Sequence, residues 1–225
     1  MFVRTTDQRL QPNTLGDLGF TSAPTPMVKL SEFTYRKGKE IFGEKEPAEY
    51  VYQIKRGAVR SYRLLSDGRR QIGAFHLKDD VFGFENGENH RFTAEAVIET
   101  TVYLMKRASL QSMADTDAAI SRNLLTMTTT NLEHAENHML LLGRKTAVEK
   151  VAAFLIEMDR RTGSNNVSLP MNRRDIADYL GLTLETVSRA VSRLHCEGVL
   201  NFIGNTQREI VILDLNKLQS FDPQR

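Results

Sequence analysis

Glu185, Ser188 and Arg189 form the part of this sequence best equipped for chemistry, because together they can read the edge of a base pair. A guanidinium donates two hydrogen bonds to guanine O6 and N7, a carboxylate accepts from cytosine N4, and a serine meets either an edge atom or a thymine methyl. Glu185 and Arg189 lie four residues apart, one turn on a helix, so they project from one face and can also hold each other's rotamers. Ser192 and Cys196 continue that polar stripe, opposite Val187, Val191 and Leu194, with Ser188 beside it. The competing account is an exposed helix ion pair contributing about 0.3–0.5 kcal/mol. Spacing alone does not choose between the two.

The segment around these residues meets the needs of a helix-turn-helix. Asn172 can cap a first helix, and Ala177 is small where a second helix must approach. Gly181 allows the left-handed backbone of a tight turn, and Thr183 can cap the second helix. Ile176, Leu180, Val187, Val191 and Leu194 supply a shared core. Runs at Val199–Asn201 and Arg208–Leu213, joined across Gly204-Asn205, read as a hairpin wing. In that setting the N-terminal part of the helix over 183–196 reaches bases in a major groove. Thr183, Arg173, Arg174 and Arg193 are the candidates for phosphate contacts, which position without specifying. Over 172–193 four arginines face Asp175, Asp178 and Glu185, so nonspecific attraction should be modest.

Bulk properties are neutral on this point. The 225 residues are 40% hydrophobic and 26% charged, with 30 Lys+Arg against 28 Asp+Glu, an ordinary globular balance. No 18-residue apolar run and no signal-peptide pattern is present, and a single cysteine excludes an intrachain disulfide framework; the chain is expected in the cytoplasm. From about Thr34 to Lys106, short runs of β-branched and aromatic residues are cut by Lys37-Gly38, Arg56-Gly57, Ser66-Asp67-Gly68 and similar turns. They predict a small antiparallel sandwich or jelly roll. Residues 108–142 contain no Gly or Pro and predict one long helix ending before Gly143. One stripe on it runs Leu125, Thr128, Leu132, Ala135, Met139, Leu142 in alternating steps of three and four, the seam of a parallel dimer. A second, Ile120, Leu124, Met127, turns polar at Asn131, His134 and His138.

With these elements in order, the sequence resembles the CRP/FNR superfamily of bacterial transcription regulators over about residues 30–220. Glu185-Thr186-Val187-Ser188-Arg189 matches the Glu-x-x-Ser-Arg signature of the FNR branch. Gly143–Ala152 and Leu169–Leu180 are similar to FixK-type regulators. The resemblance implies an α+β fold: an irregular segment over 1–26, a β-roll over 27–107, a dimerisation helix over 108–142 and a winged helix-turn-helix over 143–225. It implies a homodimeric activator that contacts RNA polymerase, acts in nitrogen fixation or microoxic respiration, and reads palindromic TTGAT-type half-sites in double-stranded DNA through Glu185, Ser188 and Arg189. FNR's oxygen-sensing cluster needs several cysteines, whereas this chain has Cys196 alone, in the other domain. The ribose- and phosphate-binding pattern of cyclic-nucleotide members is not kept at 81–94, where an Arg and a Thr remain without the usual spacing.

The expectation is therefore a regulator with no cofactor, no metal, no membrane segment and no enzymatic role. Its alternatives are a regulator gated by a cyclic nucleotide or other small effector, and a β-module whose winged helix meets protein. His134 and His138 share metal-ligand spacing but lack a third ligand, and His76 and His90 read as structural rather than haem ligands. Cys196, at the end of the helix over 183–196, is a candidate oxidation site, with a plain small residue as the competing account.

Overall fold

A computed structural model describes residues 31–143, 146–163, 166–204 and 208–221. The expected irregular segment over 1–26 and Asn205 of the wing turn lie outside them.

Eight short strands build the β-roll: β1 (Ser31–Tyr35), β2 (Glu40–Phe42), β3 (Tyr50–Arg56), β4 (Val59–Leu64), β5 (Arg70–His76), β6 (Val81–Phe82), β7 (Thr93–Ala96) and β8 (Thr100–Lys106). They pair antiparallel in two sheets, ordered β1-β8-β3-β6 and β2-β7-β4-β5. Ile54, Val59, Ala94 and Val102 fill the space between them with Phe42, Tyr52 and Phe82. Ring centroids lie 5.3 Å apart for Phe42–Tyr52 and 5.2 Å for Tyr52–Phe82, and His90 stacks on Phe42 at 3.6 Å. The roll's interior is thus occupied by its own aromatic rings.

The tight turns fall where the sequence places them. Gly68, at φ +81°, closes the β4–β5 hairpin through its amide to the Leu65 carbonyl at 2.9 Å. Gly57 joins β3 to β4 at φ +99°, where an added Cβ would stand 2.6 Å from the Thr100 Cα and the Glu99 carbonyl oxygen. Gly57→Ala is expected to lower stability by about 1–3 kcal/mol, measured as a fall in the urea midpoint.

The helix expected as one piece over 108–142 is two: α1 (Arg107–Thr116) and α2 (Ala118–Leu142). Asp117 lies between them at φ −125° and ψ 109°, and its carboxylate accepts from the Ala119 amide at 2.7 Å. A short carboxylate competes for free amides and starts a helix better than it sits inside one, which a search for Gly and Pro overlooks. α2 keeps 25 residues, roughly 37 Å at 1.5 Å per residue. Its two stripes go to different places. Ile120 and Met127 are buried with Val51, Val81, Met105 and Leu110 of the same chain. Leu125, Leu132 and Met139 stand out, 67%, 56% and 65% exposed.

The C-terminal unit comprises α3 (Ala147–Thr162), β9 (Asn166–Ser168), α4 (Arg173–Leu180), α5 (Leu184–Cys196), β10 (Leu200–Ile203), β11 (Glu209–Ile212) and α6 (Leu215–Ser220). The wing is a three-stranded sheet ordered β10-β11-β9; β9 has three residues, too short to leave an alternation in the sequence. Phe154, Leu155, Met158, Ile176, Leu180, Val187, Val191 and Leu194 form its core. That cluster continues without a gap into Ala58, Ile72, Phe75 and Val97 of the β-roll.

Tyr179 sits at the junction, its ring 5.1 Å from Phe75 of β5, 5.8 Å from Phe154 of α3 and 4.0 Å from His138 of α2. Neither buried ring nitrogen of His138 has a hydrogen-bond partner. Burial, with a smaller contribution from Lys150, pushes its pKa down from 6.5 to about 4. The unfolded chain therefore binds a proton that the folded chain refuses, so stability is intact above pH 6.5 and declines as pH falls toward 4. His138→Phe keeps the ring stack and removes that proton, so its acid-side decline, followed by urea midpoints across this range, is expected to be shallower. His76 titrates in the same direction and retains part of the slope.

Candidate nucleic-acid interface

Local chemistry sets the two helices of the turn. Asn172 and Asp175 form a reciprocal capping box: Asn172 Oδ1 accepts from the Asp175 amide at 2.9 Å, and Asp175 Oδ2 from the Asn172 amide at 3.2 Å. Gly181 ends α4 in the left-handed region at φ +63°. Thr183 Oγ1 accepts from the Thr186 amide at 3.2 Å and starts α5. Val187, Ala190, Val191 and Leu194 are buried, which turns the opposite face of α5 to solvent.

Glu185 and Arg189 are exposed on that face, and Ser188 is partly exposed beside them. The expected mutual grip of Glu185 and Arg189 is absent, since no ion pair joins them among the described residues. Instead the backbone amide of Glu185 itself, and after it the Thr183 hydroxyl, hold the Glu185 carboxyl below its usual range, with smaller contributions from Arg174 and Arg189. The carboxylate is thus steadied from the helix start while the Arg189 guanidinium remains available.

The four backbone candidates differ. Arg174 and Thr183 are exposed, although the Thr183 hydroxyl is shared with its cap and with Thr186 Oγ1 at 2.9 Å. Arg193 is exposed and donates through Nε to Glu197 Oε1 at 2.9 Å. Arg173 is half-buried with its guanidinium 5.8 Å above the Phe202 ring, so it is partly spent on bracing the wing. A cleft of about 430 Å3 between the two helix N-termini and the wing is lined by Asn172, Arg173, Arg174, Leu184 and Arg208. Sequence reading passed over Arg208 and Leu184. An arginine inside a strand run carries no helix-terminus signal, and Leu184 reads as core by type, yet it is 36% exposed beside Glu185.

The face is also more basic than a count along the chain suggests. Asp175 and Asp178 point away from α5's exposed side and pair with Arg60 and Arg70 of the β-roll. That leaves Arg174 and Arg189 beside Glu185 on this face, while Arg193 pairs with Glu197 and Arg173 lies over Phe202.

The remaining candidates are placed as follows. Cys196 is exposed at the end of α5. His134 is exposed, while His138 turns into Tyr179, so the pair does not converge. His76 bonds Ser61 Oγ at 2.9 Å and stacks on Phe82. In the loop after β6, the largely buried Glu85 carboxylate accepts from the Arg91 amide at 3.0 Å and from Arg91 Nε at 2.8 Å, so the loop's arginine already has an anion. Among the described residues no helix is long and apolar enough to cross a membrane.

Comparison with known proteins agrees with this layout. A Crp-like helix-turn-helix domain model matches residues 149–221, and a cyclic nucleotide-binding domain model matches residues 32–117. The chain is 49% identical over 162 residues to the nitrogen fixation regulation protein FixK of Rhizobium meliloti, covering 72% of this chain and 74% of that one. It is 42% identical over 194 residues to FixK of Azorhizobium caulinodans, covering 84% and 77%. The solved structure of FixK2 from Bradyrhizobium japonicum superposes with a TM-score of 0.82 at 60% identity, over 86% of this chain and 98% of that one.

Proposed function

The chain belongs to the FixK-type branch of the CRP/FNR superfamily of transcription regulators, and from that premise we propose that it activates genes as a homodimer bound to a palindromic site in double-stranded DNA. Each subunit places α5 in a major groove. Arg189 donates to guanine O6 and N7, Glu185 accepts from cytosine N4, and Ser188 meets a neighbouring edge or methyl. Leu184, exposed one position before Glu185, is apolar surface suited to a thymine methyl. Arg174 and Arg208, at the cleft between the helix N-termini and the wing, meet phosphates.

The observation that carries this reading is α5 itself: capped at Thr183, buried on one side, and presenting Glu185 and Arg189 to solvent on the other. The exposed seam of Leu125, Leu132 and Met139 supports pairing through α2, which sets the separation of two half-sites. By the resemblance of Glu185-Thr186-Val187-Ser188-Arg189 to the FNR-branch signature the half-sites are of TTGAT type and the targets include microoxic respiration; the names of the FixK relatives add nitrogen fixation, and the protein works in the cytoplasm. RNA polymerase is met by the β4–β5 hairpin tip, where Leu64 is 65% and Leu65 is 42% exposed next to Ser66-Asp67-Gly68.

Binding to a duplex carrying an inverted TTGAT-type repeat, compared with a scrambled duplex at several salt concentrations, tests this. A preference on the order of 1,000-fold or more is expected. Equal binding to both would sink the reading.

A second reading, an effector-gated regulator, is favoured by the match of the cyclic nucleotide-binding model over residues 32–117. The aromatic filling of the roll and the Glu85–Arg91 pair weigh against it. Calorimetry with cyclic nucleotides, and DNA affinity with and without them, separates the two.

A further inference from the structure

The junction between the β-roll and the first helix of the turn is charged and mostly buried, with Arg60, Arg70 and Asp178 partly exposed around a buried Asp175. Asp175, 1% exposed, accepts through Oδ1 from Arg60 Nη1 at 2.7 Å and from Arg70 Nη2 at 2.6 Å. Arg70 also donates to Asp178 Oδ2 from Nε at 2.9 Å and from Nη2 at 2.7 Å. The other arm of Arg60 reaches Glu95 Oε1 at 2.5 Å. Next to this cluster, Gln71 Nε2 donates to the Asp178 carbonyl at 2.8 Å. A second tie lies along β5, where Arg161 of α3 donates to the Phe75 carbonyl at 3.0 Å and pairs with Asp80.

Apolar contact alone would hold these units together without fixing their angle, because dispersion and hydrophobic contact are non-directional. A fork-shaped guanidinium meeting carboxylates in a low-dielectric seam is directional, and its cost when mispaired penalises other orientations. The seam engages α4 and α3, whereas Glu185 and Arg189 on α5 stay exposed while it is closed. The closed junction is therefore compatible with reading DNA. Asp175 has a double part, since the same carboxylate completes the capping box of α4.

We propose that Arg60 and Arg70 are positioning residues for DNA recognition: by gripping Asp175 and Asp178 they set the orientation of the reading helix against the β-roll, with no effector required. The proposal rests on the reading of α5 as a DNA-binding helix. Without the grip the winged unit samples several orientations, and apparent affinity falls in proportion to the fraction left in the reading one.

The test uses the full chain with Arg70→Met, and separately with the charge-keeping Arg70→Lys. Affinity is measured on the inverted repeat. Orientation is measured as a spin-label distance between Ser66→Cys and Asn216→Cys in a Cys196→Ser background, diluted with unlabelled protein so that one subunit is read. Arg70→Met is expected to broaden the distance distribution and to weaken binding roughly tenfold per subunit while footprinting the same bases. Arg70→Lys, which keeps the charge but loses the fork, is expected to fall between Arg70→Met and the native chain in both measurements. A narrow distribution in Arg70→Met, or full affinity beside a broadened one, overturns the proposal. If no form of the protein prefers the repeat, the DNA reading fails instead, and the distance measurement still decides whether the grip fixes the orientation.

Discussion

Arg189→Ala is expected to weaken binding to the inverted repeat by about 1–3 kcal/mol per half-site, and to remove the preference for one base pair in each half. The loss falls on one position because the Arg189 side chain is exposed on α5 and joined by no ion pair among the described residues, so its donors are free for a base edge. Fold and dimer should be untouched, since the side chain packs against nothing in the core. Affinity measured on a set of duplexes differing at single positions checks this. A uniform loss across every sequence would instead place Arg189 on a phosphate, and no loss would remove it from the interface.

The other large effect belongs to the seam on α2. Leu132→Glu puts a carboxylate at the middle of an apolar stripe whose neighbours Leu125 and Met139 lie one heptad to either side. In one subunit the position is 56% exposed, and α2 remains anchored through Ile120 and Met127, so the subunit should stay folded. Two charges facing each other across a coiled-coil seam should leave a monomer in sedimentation experiments. Specific affinity should then fall on the order of 1,000-fold, toward nonspecific binding, as one half-site is lost. A dimer surviving the substitution with full affinity would move the subunit contact elsewhere.

Much of this was written in local patterns. The turn was legible because each requirement is met by a residue with few alternatives: Asn172 and Thr183 as caps, Gly181 in the left-handed region, Val187, Val191 and Leu194 facing inward. The two stripes of α2 were legible because one helix carried two apolar faces and a single β-roll can cover only one. What stayed hidden depends on contacts distant in sequence. Asp175 and Asp178 look like acids that weaken a basic helix until Arg60 and Arg70, more than 100 residues away, are seen to take them up. The break at Asp117 was missed because capping chemistry and helix continuity compete at one position. Arg208 and Leu184 come to line one cleft with Asn172, Arg173 and Arg174 only once the wing folds beside the helix N-termini.

Selection from random-sequence DNA by the purified full-length protein bears on the central claim most directly, because one recovered motif reports reader residues, symmetry and spacing together. An inverted repeat of TTGAT-type half-sites, with centres about one helical turn apart, is the expected outcome. Enrichment of no motif at all, or of a single unrepeated one, would contradict the account.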